Sequence, residues 1–196
     1  MSLEKVFQIG FNKCATRSIS HFFKRHGFEV ADWERGEIAR ALKSDIDSGR
    51  APLAAWDKVN VFTDMESVER GRIIEGYKYF RELASAYPQA LFVLNTRNVE
   101  TWIRSRQAHG NGAYTAAYAR FLGLGTEAEV FRYWRIDWFH HHLEVLRYFS
   151  ELGRPRLFVW DIDSPDFVTL GQIAGMEFDP AKWPHRGKTF LNKEGE

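Results

Sequence analysis

The sequence predicts an α/β protein built on a parallel sheet of four or five strands. Short apolar runs of strand length alternate with longer amphipathic segments along the whole chain. The run ALFVLNT, residues 90–96, is apolar enough to be a strand buried on both faces. Alternation of this kind places helices on both faces of the sheet, which gives three layers. With 196 residues, the chain is expected to form a single domain over residues 1–196.

The individual elements follow from composition and spacing. Strands are predicted where β-branched and aromatic residues cluster: residues 5–9, 28–31, 58–63, 90–96 and 156–161. Helices are predicted where apolar residues recur every three or four positions: residues 16–26, 34–46, 70–87, 99–108, 127–152 and 166–174. The sequence HGNGAY, residues 109–114, is expected to be a flexible turn, and residues 178–192 are expected to be irregular.

Composition and charge exclude several classes of protein. With 27 basic and 26 acidic residues, the net charge of +1 gives no reason to expect nucleic-acid binding. No apolar segment approaches the roughly 20 residues that span a bilayer, and no signal-peptide pattern follows the first apolar run. The single cysteine, Cys14, cannot form an internal disulfide and favours a reducing compartment. A soluble, cytoplasmic protein is therefore expected.

The loop after the first predicted strand has the composition of an anion-binding site. Gly10 allows a sharp turn, and the loop runs into a helix N-terminus, where backbone amides attract negative charge. Lys13 adds a positive charge, and Thr16 and Ser18 add hydroxyl donors. A phosphate or sulfate group would fit these donors. An ordinary strand-to-helix turn with an exposed lysine has the same features, so this loop alone leaves both interpretations open.

Two related loop chemistries fit poorly. A nucleotide-binding P-loop has the pattern G-x-x-x-x-G-K-[ST], but Lys13 follows Gly10 by three residues and position 15 is alanine. A cysteine phosphatase needs an arginine six residues after Cys14, where this chain has Ser20. Cys14 near a helix N-terminus could have thiolate character, but a small side chain packed under the loop is the favoured interpretation.

A second candidate site follows the strand at residues 90–96. Arg97 stands at the end of that strand, and Ser105 lies in the second turn of the next predicted helix. Arginine carries a permanent charge and binds two oxygens at once, so this pair is suited to a second phosphate. Neighbouring Arg104 and Arg106 either extend that pocket or face water.

Together the two loops resemble those of the sulfotransferase family that uses 3′-phosphoadenosine 5′-phosphosulfate (PAPS). The matching segments are NKCATRS at residues 12–18, RNVETWIRS at residues 97–105 and YPQALFVLNTR at residues 87–97. Three positions depart from the family pattern: Asn12 replaces the usual proline, Ala15 the usual glycine, and Arg17 a common second hydroxyl. The resemblance implies a P-loop NTPase-like sulfotransferase fold, PAPS as the donor and no metal.

The resemblance also implies roles for individual residues. Lys13 would contact the transferring sulfuryl group, and Arg97 and Ser105 would hold the 3′-phosphate. The 5′ side would be held by the remaining residues of the first loop: Cys14, Ala15, Thr16, Arg17 and Ser18. A basic, glycine-containing loop near the C-terminus often closes the nucleotide site in this family, which implicates Arg186 and Lys188.

Three residues are candidates for the base that would accept the proton of the sulfate acceptor. Asp64 follows the strand at residues 58–63 and is favoured, with Glu66 second and His109 third. A helix cap, or an ion pair with a basic loop residue, is an equally open interpretation of Asp64. A strand that ends in aspartate also resembles a magnesium site.

Two other classes of function therefore stay open: a kinase using ATP and magnesium, and a non-catalytic nucleotide-binding module. The acceptor, a small molecule or a carbohydrate, cannot be identified from sequence, and neither can the oligomeric state.

Two conspicuous groups of residues are interpreted as structural. His140, His141 and His142 are consecutive, so on a helix they point about 100° apart and cannot converge on a metal ion. Trp134 and Trp138 share one face of the same helix and are expected in the core. No metal site is expected.

Overall fold

A computed structural model describes residues 3–69, 71–152 and 156–184 of the chain. The strands are β1 Val6–Gln8, β2 Val30–Asp32, β3 Val61–Thr63, β4 Glu66–Glu69, β5 Arg72–Glu75, β6 Leu91–Thr96 and β7 Leu157–Asp161. The helices are α1 Thr16–Arg25, α2 Glu37–Asp47, α3 Phe80–Ala86, α4 Val99–Gln107, α5 Ala113–Leu122, α6 Glu127–Glu151 and α7 Phe167–Ala174.

The central sheet has five parallel strands in the order β2-β3-β1-β6-β7. This confirms the predicted α/β fold. From β1 the chain moves to the side of the sheet that holds β2 and β3, whereas β6 and β7 lie on the other side. The chain therefore changes direction between β1 and β6, and ligands bind at such a point at the carboxyl ends of the strands. Val6 is in register with both Val61 and Leu91, which aligns the ends of the three central strands.

Apolar side chains on the two faces of the sheet form separate cores. In β1, Val6 belongs to a cluster with Phe22 of α1 and Leu170 of α7, whereas Phe7 packs into a cluster with Ile38 of α2 and Phe149 of α6. Successive residues of a strand point to opposite faces, so this alternation produces the three-layer architecture. A third, aromatic cluster lies beyond the strand ends and contains Phe11, Tyr77, Trp102, Tyr114, Tyr118, Trp134 and Trp138.

The prediction of one helix over residues 70–87 was wrong. This region contains the second strand of an antiparallel hairpin, in which β4 pairs with β5, followed by a 3-10 turn and the short helix α3. Gly71 makes the hairpin turn with a φ of 82°. A Cβ atom on Gly76 would lie 2.6 Å from the Met65 carbonyl oxygen, so glycine permits the close approach that ends β5.

The segment at residues 109–114 also differs from its prediction as a simple turn. A 3-10 segment, His109–Gly112, leads into α5, a helix that the sequence analysis missed. In contrast, α6 matches its prediction to within one residue, and Thr126 with Glu129 forms the capping box at its start. Within the described ranges, no helix is long and apolar enough to cross a membrane.

Candidate active site

Protein side chains hold the carbonyl oxygens of the loop between β1 and α1. Asn95 of β6 is central, because its Nδ2 donates to the carbonyls of Phe11 and Cys14 at 3.1 and 2.8 Å. The other donors are Gln8 Nε2 to the Gly10 oxygen, Trp102 Nε1 to the Asn12 oxygen at 3.0 Å and Arg97 Nη1 to the Lys13 oxygen at 3.3 Å. Every carbonyl from residue 10 to residue 14 therefore has a side-chain partner.

This arrangement leaves the amides of the loop available for an anion. Lys13 and Ala15 have left-handed backbones, with φ of 63° and 58°, and Ala15 at the start of α1 makes no side-chain capping bond. The first-turn amides of a helix have no partner within the helix, and the helix dipole favours negative charge there. The loop is held in shape by the core, and its geometry is suited to a phosphate or sulfate oxyanion.

Gly10 is required by the same contacts. A Cβ atom at this position would lie 2.3 Å from both the carbonyl oxygen and the Oδ1 atom of Asn95. Any larger residue would displace the side chain that holds the loop.

The remaining residues of the loop divide into polar groups at the helix start and one packed thiol. Thr16 and Ser18 lie in the first turn of α1 and are largely buried, whereas Arg17 is exposed. Cys14 is fully buried, and burial raises the pKa of its thiol far above the usual range. Cys14 is therefore a packing residue, as the sequence analysis favoured.

Lys13 carries a charge that its surroundings destabilise. Partial burial lowers the pKa of its ammonium group, and the positive charges of Arg17 and Arg97 lower it further, while the carboxylate of Asp64 opposes the shift. A bound oxyanion would remove this repulsion, because it would be a negative partner for three neighbouring cations.

Arg97 directly follows β6 and contacts the first loop, and Ser105 lies on α4. The Nε atom of Arg97 donates to Thr101 Oγ1 at 3.1 Å, which directs its Nη1 to the carbonyl of Lys13. Asn98 caps α4 by accepting from the amides of Glu100 and Thr101. Ser105 lies one turn further along α4 and is mostly buried. The guanidinium group therefore lies directly against the first loop, so the two predicted loops form one continuous site.

Asp64 stands at the end of β3, beside the first loop. Its backbone is left-handed, with a φ of 53°, and its amide donates to Gln8 Oε1 at 2.8 Å. Burial and the negative charges of Glu66 and Asp32 raise the pKa of its carboxyl to about 7, against the opposing charge of Lys13. A carboxyl group with this pKa can accept a proton near neutral pH.

Glu66 and Arg106 occupy a different place from the one predicted. Arg106 is 0% exposed, so it does not face water. Its Nη2 donates to Glu66 Oε1 at 3.0 Å, and Glu66 also accepts from the hydroxyls of Tyr114 and Tyr118 at 2.6 and 2.8 Å. Glu66 is 4% exposed and engaged by these donors, so it is a poor candidate for the base.

The buried pair also supports the first loop. Arg106 Nε donates to Asn12 Oδ1 at 3.0 Å, and Asn12 Nδ2 donates to the Tyr114 hydroxyl at 2.9 Å. The rings of Trp102 and Trp134 lie 4.8 Å from the guanidinium carbon. Asn12, which replaces the proline usual in the resembling family, thus ties the loop to a charged network under it.

The histidines have separate environments. The His109 ring edge lies against Tyr114, and partial burial of the ring together with the charges of Lys13 and Arg17 lowers the pKa of its imidazole. His109 therefore lies near the loop as a neutral group. His141 is buried, and its Nε2 pairs with the Ile9 carbonyl at 2.7 Å. Across the described residues, no group of histidine, cysteine and acidic side chains is arranged to hold a metal ion.

The other predictions have simple outcomes. Trp134 and Trp138 are 0% and 4% exposed, so their placement in the core is confirmed. Arg186 and Lys188 lie outside the described residues. An open groove of about 600 Å³ lies over α7, between Phe167 and Pro180, and no residue of the site lines it.

Residues 5–157 match the family model of the sulfotransferase domain. The chain belongs to this sulfotransferase family. The matched region includes the first loop, Asp64, Arg97 and Ser105, and it ends at the first residue of β7. No curated protein matches the chain. Both loops that carry the family resemblance lie within the matched part of this sulfotransferase domain.

Sequence reasoning missed the buried residues that hold the first loop in its conformation. Gln8 and Asn95 are polar residues within predicted buried strands, and both hold the loop. An amide side chain in an otherwise apolar strand was the available signal, since a buried polar group needs a specific partner. Arg106 gave no such signal, because polar residues are common on the exposed face of a helix.

Proposed function

We propose that this sulfotransferase domain transfers the sulfuryl group of PAPS to a hydroxyl or amine of an acceptor. The observation that carries the proposal is the contact of Arg97 with the first loop, 3.3 Å from the carbonyl of Lys13. PAPS carries a 5′-phosphosulfate and a 3′-phosphate on one ribose, so its two anionic groups need two neighbouring sets of donors. The first loop supplies one set, and Arg97 with Ser105 supplies the other.

On the donor side, the loop binds the phosphosulfate. The amides of residues 14–17 and the hydroxyls of Thr16 and Ser18 hold its oxygens, and Lys13 lies against the bridging oxygen. As the bond from sulfur to that oxygen breaks, negative charge grows on the departing 5′-phosphate, where a preorganised ammonium group stabilises it. The 3′-phosphate is remote from the reacting atoms, so Arg97 and Ser105 contribute binding and orientation.

On the acceptor side, Asp64 is the base. The acceptor oxygen or nitrogen forms a bond to sulfur, and its proton passes to the Asp64 carboxylate. A pKa of about 7 leaves this carboxylate available at neutral pH and still basic enough to take the proton during transfer. His109 is the alternative base, since it lies near the loop as a neutral imidazole.

Calorimetry with 3′-phosphoadenosine 5′-phosphate tests the donor. We expect this nucleotide to bind much more tightly than ATP with magnesium. Tight binding of ATP with magnesium, together with ATP turnover, would replace the proposal with the kinase alternative. Nucleotide binding without transfer to any acceptor would favour a non-catalytic module.

The substitution Arg97→Ala sharpens this test. Adenosine 5′-phosphate lacks the group that Arg97 is proposed to hold, so the variant should weaken 3′-phosphoadenosine 5′-phosphate far more than adenosine 5′-phosphate. Equal weakening of both nucleotides would refute the role of Arg97. Arg156→Ala is a control, because Arg156 donates to the carbonyl of Gln89 away from the loop.

A further inference from the structure

Gln8 has a buried side-chain amide that contacts both sides of the candidate site. It is the last residue of β1 and is 1% exposed. Its Nε2 atom donates to the carbonyl of Gly10, at the start of the first loop, and to Asn95 Oδ1 in β6. Its Oε1 atom accepts from the backbone amide of Asp64, just after β3, at 2.8 Å. One side chain is therefore bonded both to the loop that carries Lys13 and to the proposed base.

The amide groups of Gln8 and Asn95 fit together in one orientation. Both hydrogens of Gln8 Nε2 have acceptors, and its Oε1 lies opposite the Asp64 amide. A flipped Gln8 would place its own amino group against that amide, donor against donor. Because Asn95 Oδ1 accepts from Gln8, Asn95 Nδ2 faces the carbonyls of Phe11 and Cys14. Asp64, Gln8, Asn95 and the first loop thus form a single hydrogen-bond network with fixed directions.

Gln8 continues the link between β1 and β3 beyond the point where the two strands pair. Their last pair in register is Phe7 with Phe62, and the amide of Ile9 already donates to β6, at 2.8 Å. Past this pair, the Asp64 amide is bonded to β1 through the side chain of Gln8. Asp64 has a φ of 53°, a backbone conformation that a non-glycine residue keeps only where its surroundings hold it. The bond to Gln8 is part of what holds it.

The phosphate-binding part of the first loop depends less on Gln8. The carbonyls of residues 11–14 take their side-chain donors from Asn95, Trp102 and Arg97. Gln8 serves the carbonyl of Gly10, before this part of the loop begins. Loss of Gln8 should therefore loosen Asp64 more than it loosens the donor side of the site.

We propose that Gln8 is a positioning residue, which holds Asp64 at a fixed place relative to the loop that carries Lys13. This inference rests on the proposed function, because it takes Asp64 as the base and Lys13 as the partner of the leaving group. During transfer the acceptor atom bonds to sulfur opposite the bond that breaks, its proton passes to Asp64, and the electron pair of the broken bond stays on the 5′-phosphate. A displacement of about 1 Å between the base and the loop would cost on the order of 10²-fold in rate.

The titration of Asp64 tests this role without a sulfate acceptor. Its carboxyl carbon is followed against pH by ¹³C NMR in protein labelled at aspartate, and Asp64→Asn assigns the signal. In the wild type, burial and the negative charges of Glu66 and Asp32 raise this pKa to about 7, while the positive charges of Lys13 and Arg17 oppose the shift. The pKa therefore reports whether the carboxyl group stays in its buried position.

Gln8→Met removes the oxygen that accepts from the Asp64 amide and keeps a side chain of similar length. The freed carboxyl group should move toward water, so its pKa should fall by about one unit or more. Gln8→Asn keeps an amide that is one methylene too short to reach the same three partners. It should lower the pKa in the same direction, and it carries the test if Gln8→Met does not fold. Gln172→Met, at an exposed position on α7, is the control and should leave the titration unchanged.

Nucleotide affinity separates this inference from the proposed function. Calorimetry with 3′-phosphoadenosine 5′-phosphate should show a loss of less than about threefold in Gln8→Met, because the carbonyls of residues 11–14 keep their donors. A folded Gln8 variant with the wild-type titration of Asp64 would overturn the inference. A fall in pKa that comes together with loss of nucleotide binding would also overturn it, since the whole site would then have collapsed. If the wild-type protein does not bind this nucleotide, the proposed function fails, whereas the titration still reports whether Gln8 holds Asp64.

Discussion

At Asp64, a φ of 53° and a carboxyl pKa of about 7 occur in the same residue. Aspartate and asparagine tolerate a left-handed backbone better than most side chains, because their short polar groups can bond locally. Asp64→Asn therefore removes the charge while it keeps a residue suited to the backbone. This makes the substitution a clean test of both stability and proton transfer.

The stability of Asp64→Asn should depend on pH. The folded pKa of about 7 lies above the roughly 3.9 of an unfolded aspartate, so the folded state binds more protons between these values. Wild-type stability due to Asp64 is therefore complete below about pH 4 and falls as the pH rises toward 7. We expect the variant to match the wild type in Tm at pH 4 and to exceed it at pH 8. A constant difference at both pH values would contradict the raised pKa.

The same variant tests proton transfer. The kcat/KM of the wild type should rise with pH through about 7 as Asp64 ionises, and Asp64→Asn should lower turnover by roughly 10²–10⁴ and abolish this rise. If the variant kept this pH dependence, the base would be His109 instead of Asp64.

In the proposed mechanism, Lys13 is the residue that stabilises the negative charge of the transition state. Lys13→Ala should lower turnover by roughly 10²–10³, as loss of a preorganised charge does elsewhere, with a smaller loss of nucleotide affinity. Steady-state kinetics and calorimetry measure the two effects. Lys58→Ala, at an exposed lysine outside the loop, is the control. Unchanged turnover in Lys13→Ala would remove this residue from the mechanism.

At the scale of elements, sequence patterns predicted those whose periodicity was unambiguous. Leu91–Thr96 and Glu127–Glu151 lie within one residue of their predicted bounds. The β4–β5 hairpin was missed because Ile73, Ile74, Tyr77 and Phe80 also fit a helical stripe. The decisive signals, Gly71 in a turn and Gly76 at a close contact, depend on the tertiary partners of the chain.

The buried network of Arg106, Glu66, Tyr114 and Tyr118 was missed for the same reason: its signals depend on tertiary partners. Arg106 meets Glu66, 40 residues earlier, and Tyr118, 12 residues later, within two elements that the sequence did not predict correctly. Both tyrosines of the network belong to α5, which was expected to begin as a turn. Burial of an arginine cannot be deduced when its partners are not yet placed.

The free energy of unfolding shows how much this buried network contributes to stability. Arg106→Met leaves Glu66 as an uncompensated buried charge and should cost about 3–5 kcal/mol in the free energy of unfolding. Adding Glu66→Gln to this variant should restore part of the loss, because the charge is then gone. Urea denaturation measures both. Arg135→Met removes an exposed pair with Glu100 and should cost far less than the loss of Arg106. Equal losses for the two arginine variants would contradict the assigned burial.

For the whole molecule, the alternation of strands and helices predicted the parallel sheet but not the order of its strands. The parallel sheet places all strand ends on one edge, so the loops after β1, β3 and β6 were expected to be neighbours. That β6 pairs directly with β1, bringing Asn95 under the first loop, depends on packing between distant segments.

Because the site draws on three strands, a ligand that bridges it should stabilise the entire fold. At a free concentration one hundred times its Kd, 3′-phosphoadenosine 5′-phosphate should add about 2.7 kcal/mol to the free energy of unfolding. Thermal denaturation should show a rise in Tm, and ATP with magnesium at the same concentration should give a smaller one. The Arg97→Ala variant should lose most of the rise with the first nucleotide. An equal rise with both nucleotides would argue against recognition of the 3′-phosphate.

The anchoring of the first loop by Asn95, Trp102 and Arg97 has a practical consequence for experiments with the purified protein. Because buried side chains fix its shape, the loop is already formed before any nucleotide binds. Inorganic sulfate and phosphate carry the same tetrahedral oxygens, so common buffers containing them should compete for the loop and make every nucleotide look like a poorer ligand than it is.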